Sequence, residues 1–383
     1  MKFIVNSQNF LKHLQLVSGV ITGSNNVQII NCFHLRLEDG MLTIKATDLQ
    51  TTLISKIEVE ANSDGSINEI AVPSRILLDI LKNLSDAPLT LEVDKNSTSI
   101  EIKSGDGVFH MSCLDAETFP DTPTANDTTA IEIPADGLLY ALDKTIFAAS
   151  NDDTRPQMTG VLCDITPEHT TFVATDAHKL VRYRRFDVKA DDPTSFILPK
   201  KPITIVKNML ATRKENYSVK MEYNKTNIFL TFDNFHVICR LIDGRYPNYE
   251  AAIPKENPNR MTIDRVSLLG ALRRVKIFAN EATRQICLNI DGSELTLNAE
   301  NDIVSNDGTD KVPCQYEGNP IKIGFNANFL TEMVNNLESE EIIMELSTPS
   351  RAGILLPHQE PQSEEDPKDD LLMLVMPVML ANS

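Results

Sequence analysis

Three stretches decide how this chain is read: FIVNSQNFLKHL (3–14), IEIPADGLLYAL (131–142) and MTIDRVSLLGAL (261–272). Each runs a short apolar strand into a polar turn and then into apolar residues at helical spacing. The pairs Phe10–Leu11, Leu138–Leu139 and Leu268–Leu269 fall in register, followed by Leu14, Leu142 and Leu272. Spacing of i, i+3 or i+4 sets such residues on one helix face. A second segment recurs at nearly the same offset as VPSRILLDILKNL (72–84), LPKKPITIVKNML (198–210) and FNANFLTEMVNNL (325–337). Pro73 and Pro199 stand where a helix starts, where a missing N–H costs nothing. Leu77, Ile80 and Leu84 match Ile203, Val206 and Leu210, and Leu330, Met333 and Leu337. A third segment, MLTIKATD (41–48), HTTFVATD (169–176) and ELTLNAEN (294–301), alternates as a strand does. CLDAETFP (113–120) and RLIDGRYP (240–247) close the first two copies.

A period near 128 residues predicts three similar α+β domains, spanning 1–125, 126–254 and 255–383. The boundaries lie in the polar, proline-containing stretches DTPTANDTT and PKENPNR. The two helices of a copy stand far apart in sequence, with strands between them. Each domain is therefore expected to be a doubled strand–helix–strands unit with antiparallel sheets.

Composition narrows the function. Apolar residues make up 42% of the 383, enough for real cores and too many for a disordered chain. The longest apolar run, LLMLVMPVML (371–380), is broken by Pro377 and is shorter than a membrane helix needs. The N-terminus lacks the apolar core of a signal peptide. Six cysteines, Cys32, Cys113, Cys163, Cys239, Cys287 and Cys314, are spread thinly with no C-x-x-C pair, and read as reduced core residues of a cytoplasmic protein. The seven histidines form no H-E-x-x-H or H-x-H pattern, so no metal is expected. There is no phosphate-binding G-x-x-x-x-G-K-[ST] loop either, so no cofactor is expected.

The net charge of −18 argues against nucleic acid, but its distribution does not. Segments 7–20, 74–84, 135–149, 200–210, 264–279 and 327–337 carry +1, +1, −1, +3, +3 and −1. That total of +6 leaves −24 for the rest of the chain. Basic helix faces on an acidic body suit sequence-independent contact with phosphates. The alternative is that these cations simply decorate solvated helices.

Asp176 beside His178 offers an acid next to an imidazole. The matching ATD of the first copy (46–48) is followed by Leu49, Gln50 and Thr51, and no nucleophile motif accompanies either. Turn chemistry is the competing use of Asp48 and Asp176, a carboxylate bonding nearby backbone N–H groups. An enzyme and a three-repeat scaffold that never touches DNA both stay open on the residues alone.

ATDAHKL (174–180), DGRYPNYEAAIP (243–254), TRPQMTGV (154–161), LVMPVML (374–380), the opening MKFIV and LQLVSGVI (14–21) resemble the bacterial sliding clamps, the beta subunits of DNA polymerase III. The likeness runs the length of the chain. It implies a head-to-tail homodimeric ring of clamp domains, with antiparallel sheets outside and helices lining the hole. Such a ring encircles duplex DNA and tethers the replicative polymerase without chemistry of its own.

The resemblance also implies residue roles. A groove for partner peptides is built from Met158, Thr175, His178, Lys179, Leu180, Pro247, Asn326, Phe329, Val375, Met376, Pro377, Val378, Met379 and Leu380. Its users would be the polymerase III alpha subunit, the clamp loader, and mismatch-repair and translesion factors. DNA would face Lys12, Arg75, Lys82, Arg155, Lys200, Lys201, Lys207, Arg265, Arg273, Arg274 and Lys276. Loops 22–26 and 151–157 would touch it. The dimer contact would set Phe109 and Met111 against Ile277 and Phe278 of the other subunit; the alternative is that all four belong to their own cores. Against the family pattern, Ala177 replaces a common Gly, Lys179 a common Arg, and Met379 and Ser24 basic residues, and Ala381–Ser383 extend the end.

Overall fold

The computed structural model describes residues 1–23, 27–61, 68–93, 98–212, 217–301, 303, 305–358 and 368–380. Ser24 in the first inner loop, most of the acidic stretch 359–370 and the 381–383 tail lie outside these residues. The described residues hold six α-helices: α1 Ser7–Val17, α2 Ser74–Lys82, α3 Ala135–Ile146, α4 Lys200–Ala211, α5 Arg265–Val275 and α6 Ala327–Asn336. All six fall on the segments expected to be helical.

The expected polar turn between strand and helix is absent. Each helix starts on the residue after a strand ends, at Asn6, Pro73, Pro134, Pro199, Asp264 and Asn326. The junction residue explains why. Asn6, Asp264 and Asn326 turn their side chains onto free backbone N–H groups of the first helical turn, at 2.9 Å to Asn9, 2.7 Å to Ser267 and 3.0 Å to Asn328. Pro73 and Pro199 are the last extended residues, not the first helical ones, with φ of −54° and −66°.

A meander of three strands follows every helix, so the motif strand–helix–three strands occurs six times, with the short strands Glu60–Ala61, Gln315–Glu317 and Pro377–Val378 added after three of the meanders. The two halves of a repeat interlock. Lys2–Asn6, which leads into α1, pairs with Pro88–Val93 after α2. Glu69–Pro73, which leads into α2, pairs with Cys32–Glu38 after α1. The middle repeat follows the same exchange through Thr129–Pro134 on Ser218–Tyr223 and Thr194–Pro199 beside Gly160–Ile165. The last does so through Asn259–Asp264 on Glu341–Leu346 and Ile321–Asn326 on Gln285–Asp291.

Meanders of neighbouring repeats then join edge to edge. Thr51–Glu58 pairs with Phe235–Arg240, giving an eight-stranded antiparallel sheet. Lys179–Arg185 pairs with Asp369–Val375, giving a nine-stranded one. A five-stranded sheet remains at each end of the sequence, closed by Gly107–Ser112 and Asn306–Pro313 as edge strands. The chain accordingly forms two compact units, 1–139 with 198–242, and 140–197 with 243–383, and all three cuts fall within the middle repeat.

In each unit the helices lay apolar faces on sheet. Phe10, Leu11, Leu14 and Val17 of α1 are buried, as are Leu268, Leu269, Leu272 and Val275 of α5, while Lys12, Arg273 and Arg274 stay in solvent. Ile203, Val206 and Leu210 are buried as the spacing predicts, and so are Leu330, Met333 and Leu337. In α2 the buried stripe is Leu77 and Leu81; Ile80 and Leu84 are only half-buried. The cysteines are free, and all but the half-buried Cys287 are core residues.

The cap of α5 is testable. Hydrogen bonds from the Ser267 side chain and backbone hold the Asp264 carboxyl below its usual range. Its stabilisation is therefore present at neutral pH and lost as pH falls through that depressed value. Asp264→Ala should cost about 1 kcal/mol at neutral pH. The difference from the unchanged protein should vanish in acid, read as hydrogen-exchange protection in the first turn of α5.

Candidate functional site

The ATDAHKL stretch ends one strand, Thr170–Thr175, and begins the next, Lys179–Arg185. Its turn is held by side chains. Asp176 Oδ1 accepts from the backbone N–H of His178 and of Lys179, both at 2.9 Å. Thr175 Oγ1 donates to the Lys179 carbonyl at 2.7 Å and accepts from Ala177 N–H at 3.2 Å. Ala177 sits at φ +76°, a left-handed conformation that glycine adopts freely and alanine does not. A glycine here would fit this backbone without strain. Asp48 makes the same bonds in the first repeat, to Gln50 N–H at 3.0 Å and Thr51 N–H at 2.7 Å. Both aspartates build turns, and Asp176 is no partner for the His178 ring, which stacks on Phe329 with centroids 5.8 Å apart.

The C-terminal strand runs alongside. Leu374 and Val375 pair with Leu180 and Lys179, and Met376 N–H donates to the His178 carbonyl at 2.8 Å. The chain then crosses to a second sheet, where Pro377 and Val378 pair with Phe325 and Gly324. Gly324 permits this. A Cβ there would lie 2.5 Å from the Val378 carbonyl oxygen and 2.8 Å from Leu380.

The site residues therefore form two tiers. Met158, Thr175, Lys179, Leu180 and Val375 are buried and make a floor. His178, Met376 and Met379 are exposed, and Pro247, Asn326, Phe329, Pro377, Val378 and Leu380 are half-buried and make the walls. Met379, at 69% exposure, is a large apolar side chain left in water. Pro247 is presented by the DGRYP turn, where Gly244 holds φ +127°.

Lys179 sits beneath the groove. Its side chain is buried and its ammonium is used up inside the chain. It pairs with Glu332 of α6, donates to the Phe147 carbonyl at 3.0 Å, and lies over the Phe147 and Phe329 rings at 5.4 and 5.5 Å. A buried ammonium requires such partners. Lys179 is thus a strut under Phe329 and offers no charge to a ligand. Phe147, Glu332 and Gly324 were not singled out by sequence reasoning. The available signal for Glu332 was that it is the only charged residue of α6.

The basic set is dispersed. Lys12 and Arg75 are exposed on α1 and α2, and Arg273 reaches Asn335 at 3.3 Å. Among the described residues, acids answer Lys82 through Asp79, Arg155 through Asp152, Lys201 through Asp48 and Arg274 through Asp310. Arg265 donates to the Ser339 carbonyl at 3.0 Å, and Lys200, Lys207 and Lys276 are half-buried. Of the four dimer candidates, Ile277 and Phe278 are exposed, at 76% and 37%, and Phe109 is half-buried. Met111, at 5% exposure, follows the alternative and belongs to the core of its own unit.

Family models for the DNA polymerase III beta subunit match the N-terminal domain over 1–123, the central domain over 132–248 and the C-terminal domain over 250–368. The chain belongs to the DNA polymerase III beta subunit family. It is 27% identical to the beta sliding clamp of Pseudomonas putida, covering 99% of this chain and all of that one. Identity to the clamp of Synechococcus elongatus is also 27%, over 93% of this chain and 96% of that one. The crystal structure of the beta subunit from Pseudomonas aeruginosa matches with a TM-score of 0.91 at 26% identity, covering 99% and 100%. A griselimycin-bound sliding clamp from the same organism gives 0.92, with the same identity and coverage. The family is a processivity factor and not a catalyst, which removes the enzyme reading of Asp176 and His178.

Two substitutions probe the site. Ala177→Gly relieves the left-handed strain and should stabilise the protein by up to about 1 kcal/mol, seen as a raised Tm. Gly324→Ala should push residues 377–380 off their sheet, seen as lost exchange protection there with the far-UV spectrum unchanged.

Proposed function

We propose that two copies of this chain close head to tail into a ring around duplex DNA, and that the ring slides without sequence preference while holding polymerase III on its template. The observation that carries the ring is the pattern of strand edges. At both seams within the chain, the last strand of one repeat's first meander pairs with the last strand of the next repeat's second meander. Two such edges stay unmatched: Asn306–Pro313 ends the first meander of the last repeat, and Gly107–Ser112 ends the second meander of the first. They are complementary by the same rule, and only another copy continues the series. Unpaired edges invite pairing. Exposed Ile277 and Phe278 add apolar surface beside Asn306–Pro313, where Phe278 packs over Gly308.

The domains are proposed at 1–125, 126–254 and 255–383. Lys12, Arg75 and Arg273, which have no acidic partner among the described residues, supply weak, salt-sensitive contact with phosphates. The acidic remainder repels other DNA. The groove walled by His178, Phe329, Pro377, Met376 and Met379 receives short segments of the alpha subunit, the clamp loader, and repair and translesion proteins. Flexible Met side chains suit several such ligands. The protein works in the cytoplasm, where replication occurs in bacteria.

Retention on DNA tests the ring. Loaded by an active clamp loader with ATP onto nicked circular DNA, the protein should co-elute with the circle on a sizing column and be lost once the circle is cut. Equal retention on circle and linear DNA, or none on either, overturns the proposal. Ile277→Asp should sediment as a monomer and fail to be retained.

A further inference from the structure

We propose that the first compact unit carries a second peptide-docking pocket, related to the groove by the internal repeat, and that it selects a short apolar segment bearing a carboxylate. The pocket encloses about 340 Å³, within the usual size of ligand sites, and lies between the Thr47–Thr52 turn and the end of the Phe235–Arg240 strand.

Its frame repeats the groove's turn, with one added bond between the Thr47 and Thr52 hydroxyls at 2.9 Å. Thr47 Oγ1 donates to the Thr51 carbonyl at 3.1 Å and accepts from Leu49 N–H at 3.1 Å, as Thr175 does with Lys179 and Ala177. Leu49 holds φ +75°, against +76° at Ala177. Arg240 N–H donates to the Gln50 carbonyl at 2.9 Å, as Met376 N–H does to His178. Pro120 closes the CLDAETFP segment as Pro247 closes RLIDGRYP.

The exchanged side chains state what the pocket takes. Leu49 is 60% exposed, a large apolar group held in a strained conformation beside the cavity. With Ile238, Pro120 and Pro123 it forms an apolar lining, and the proline rings are rigid before any ligand arrives. Gln50, in place of His178, carries an amide with no side-chain partner among the described residues. Arg240 stands where the groove has Met376. Its guanidinium has no acidic partner among the described residues, whereas the one carboxylate in the lining, Asp121, acts on Lys45. An apolar wall beside an unanswered cation complements an aliphatic side chain next to an Asp or Glu. Since the likeness is to the groove, the inference rests on the peptide-binding reading of that groove.

The test uses the full-length dimer with labelled Ile, Leu and Met methyl groups. The probe is the amidated peptide N-acetyl-Leu-Leu-Asp-Leu, with its Asn counterpart as control. Saturable shifts at Leu49 and Ile238 are expected with the Asp peptide, and binding about tenfold weaker for the Asn peptide or for Arg240→Gln, as loss of one charged hydrogen bond implies. Leu49→Ser, at an exposed position, should weaken binding without disturbing the fold. No saturable shift at these methyls, shifts confined to Met376 and Met379, or equal binding of both peptides overturns the second pocket. The groove is read separately through Met376 and Met379 on adding the polymerase alpha subunit. Silence there with a response at Leu49 overturns the groove alone.

Discussion

Everything in this molecule depends on antiparallel pairing between strands distant in sequence. Each leading strand pairs with the meander of the other half of its repeat. No half-repeat can therefore complete its sheet alone. The same backbone ladder then welds neighbouring repeats through meander ends. Side chains tune these seams, but the obligatory N–H and C=O groups create them, because a paired edge satisfies donors that an open one leaves to water. Two compact units that cut through the middle repeat follow directly.

The groove uses what the seam provides. Where Asp369–Val375 runs out beside Lys179–Arg185, the chain must leave one sheet for another, and the crossing leaves Met376 and Met379 without a core to enter. The turn beside them is kept open by Thr175 and Asp176, and Phe329 is propped from below by the Lys179–Glu332 pair. The first unit has the same crossing point without the second sheet hop. Its exposed Leu49 and Arg240 are what remain when the frame is kept and the walls change.

Much of this was legible in the residues. The helices stand out because their apolar residues keep a helical period and their starts carry Asn, Asp or Pro. The strand character of MLTIKATD and its copies shows in alternation, and the turn role of Asp48 and Asp176 in their place after it. The burial of Lys179 and Met111 was not legible, for one reason. A charged or apolar residue on a strand is assigned a side by alternation, but which side is buried depends on the layer packed against it. Lys179 is buried because α6 brings Glu332 over it; Met111 is buried because its face is the one that meets its own unit's core.

The sequence by itself determined the repeat, the six helices, the acidic body with its basic helix segments, and the family. These are local or compositional properties, carried by neighbouring residues and summed charge. Only the tertiary structure decided which meander each leading strand joins, which edges remain open, which cations are neutralised by acids and which groove residues are floor rather than wall. Most of those depend on contacts between residues far apart in sequence, 153 positions for Lys179 with Glu332 and for Lys201 with Asp48, and no local pattern encodes a partner at that distance.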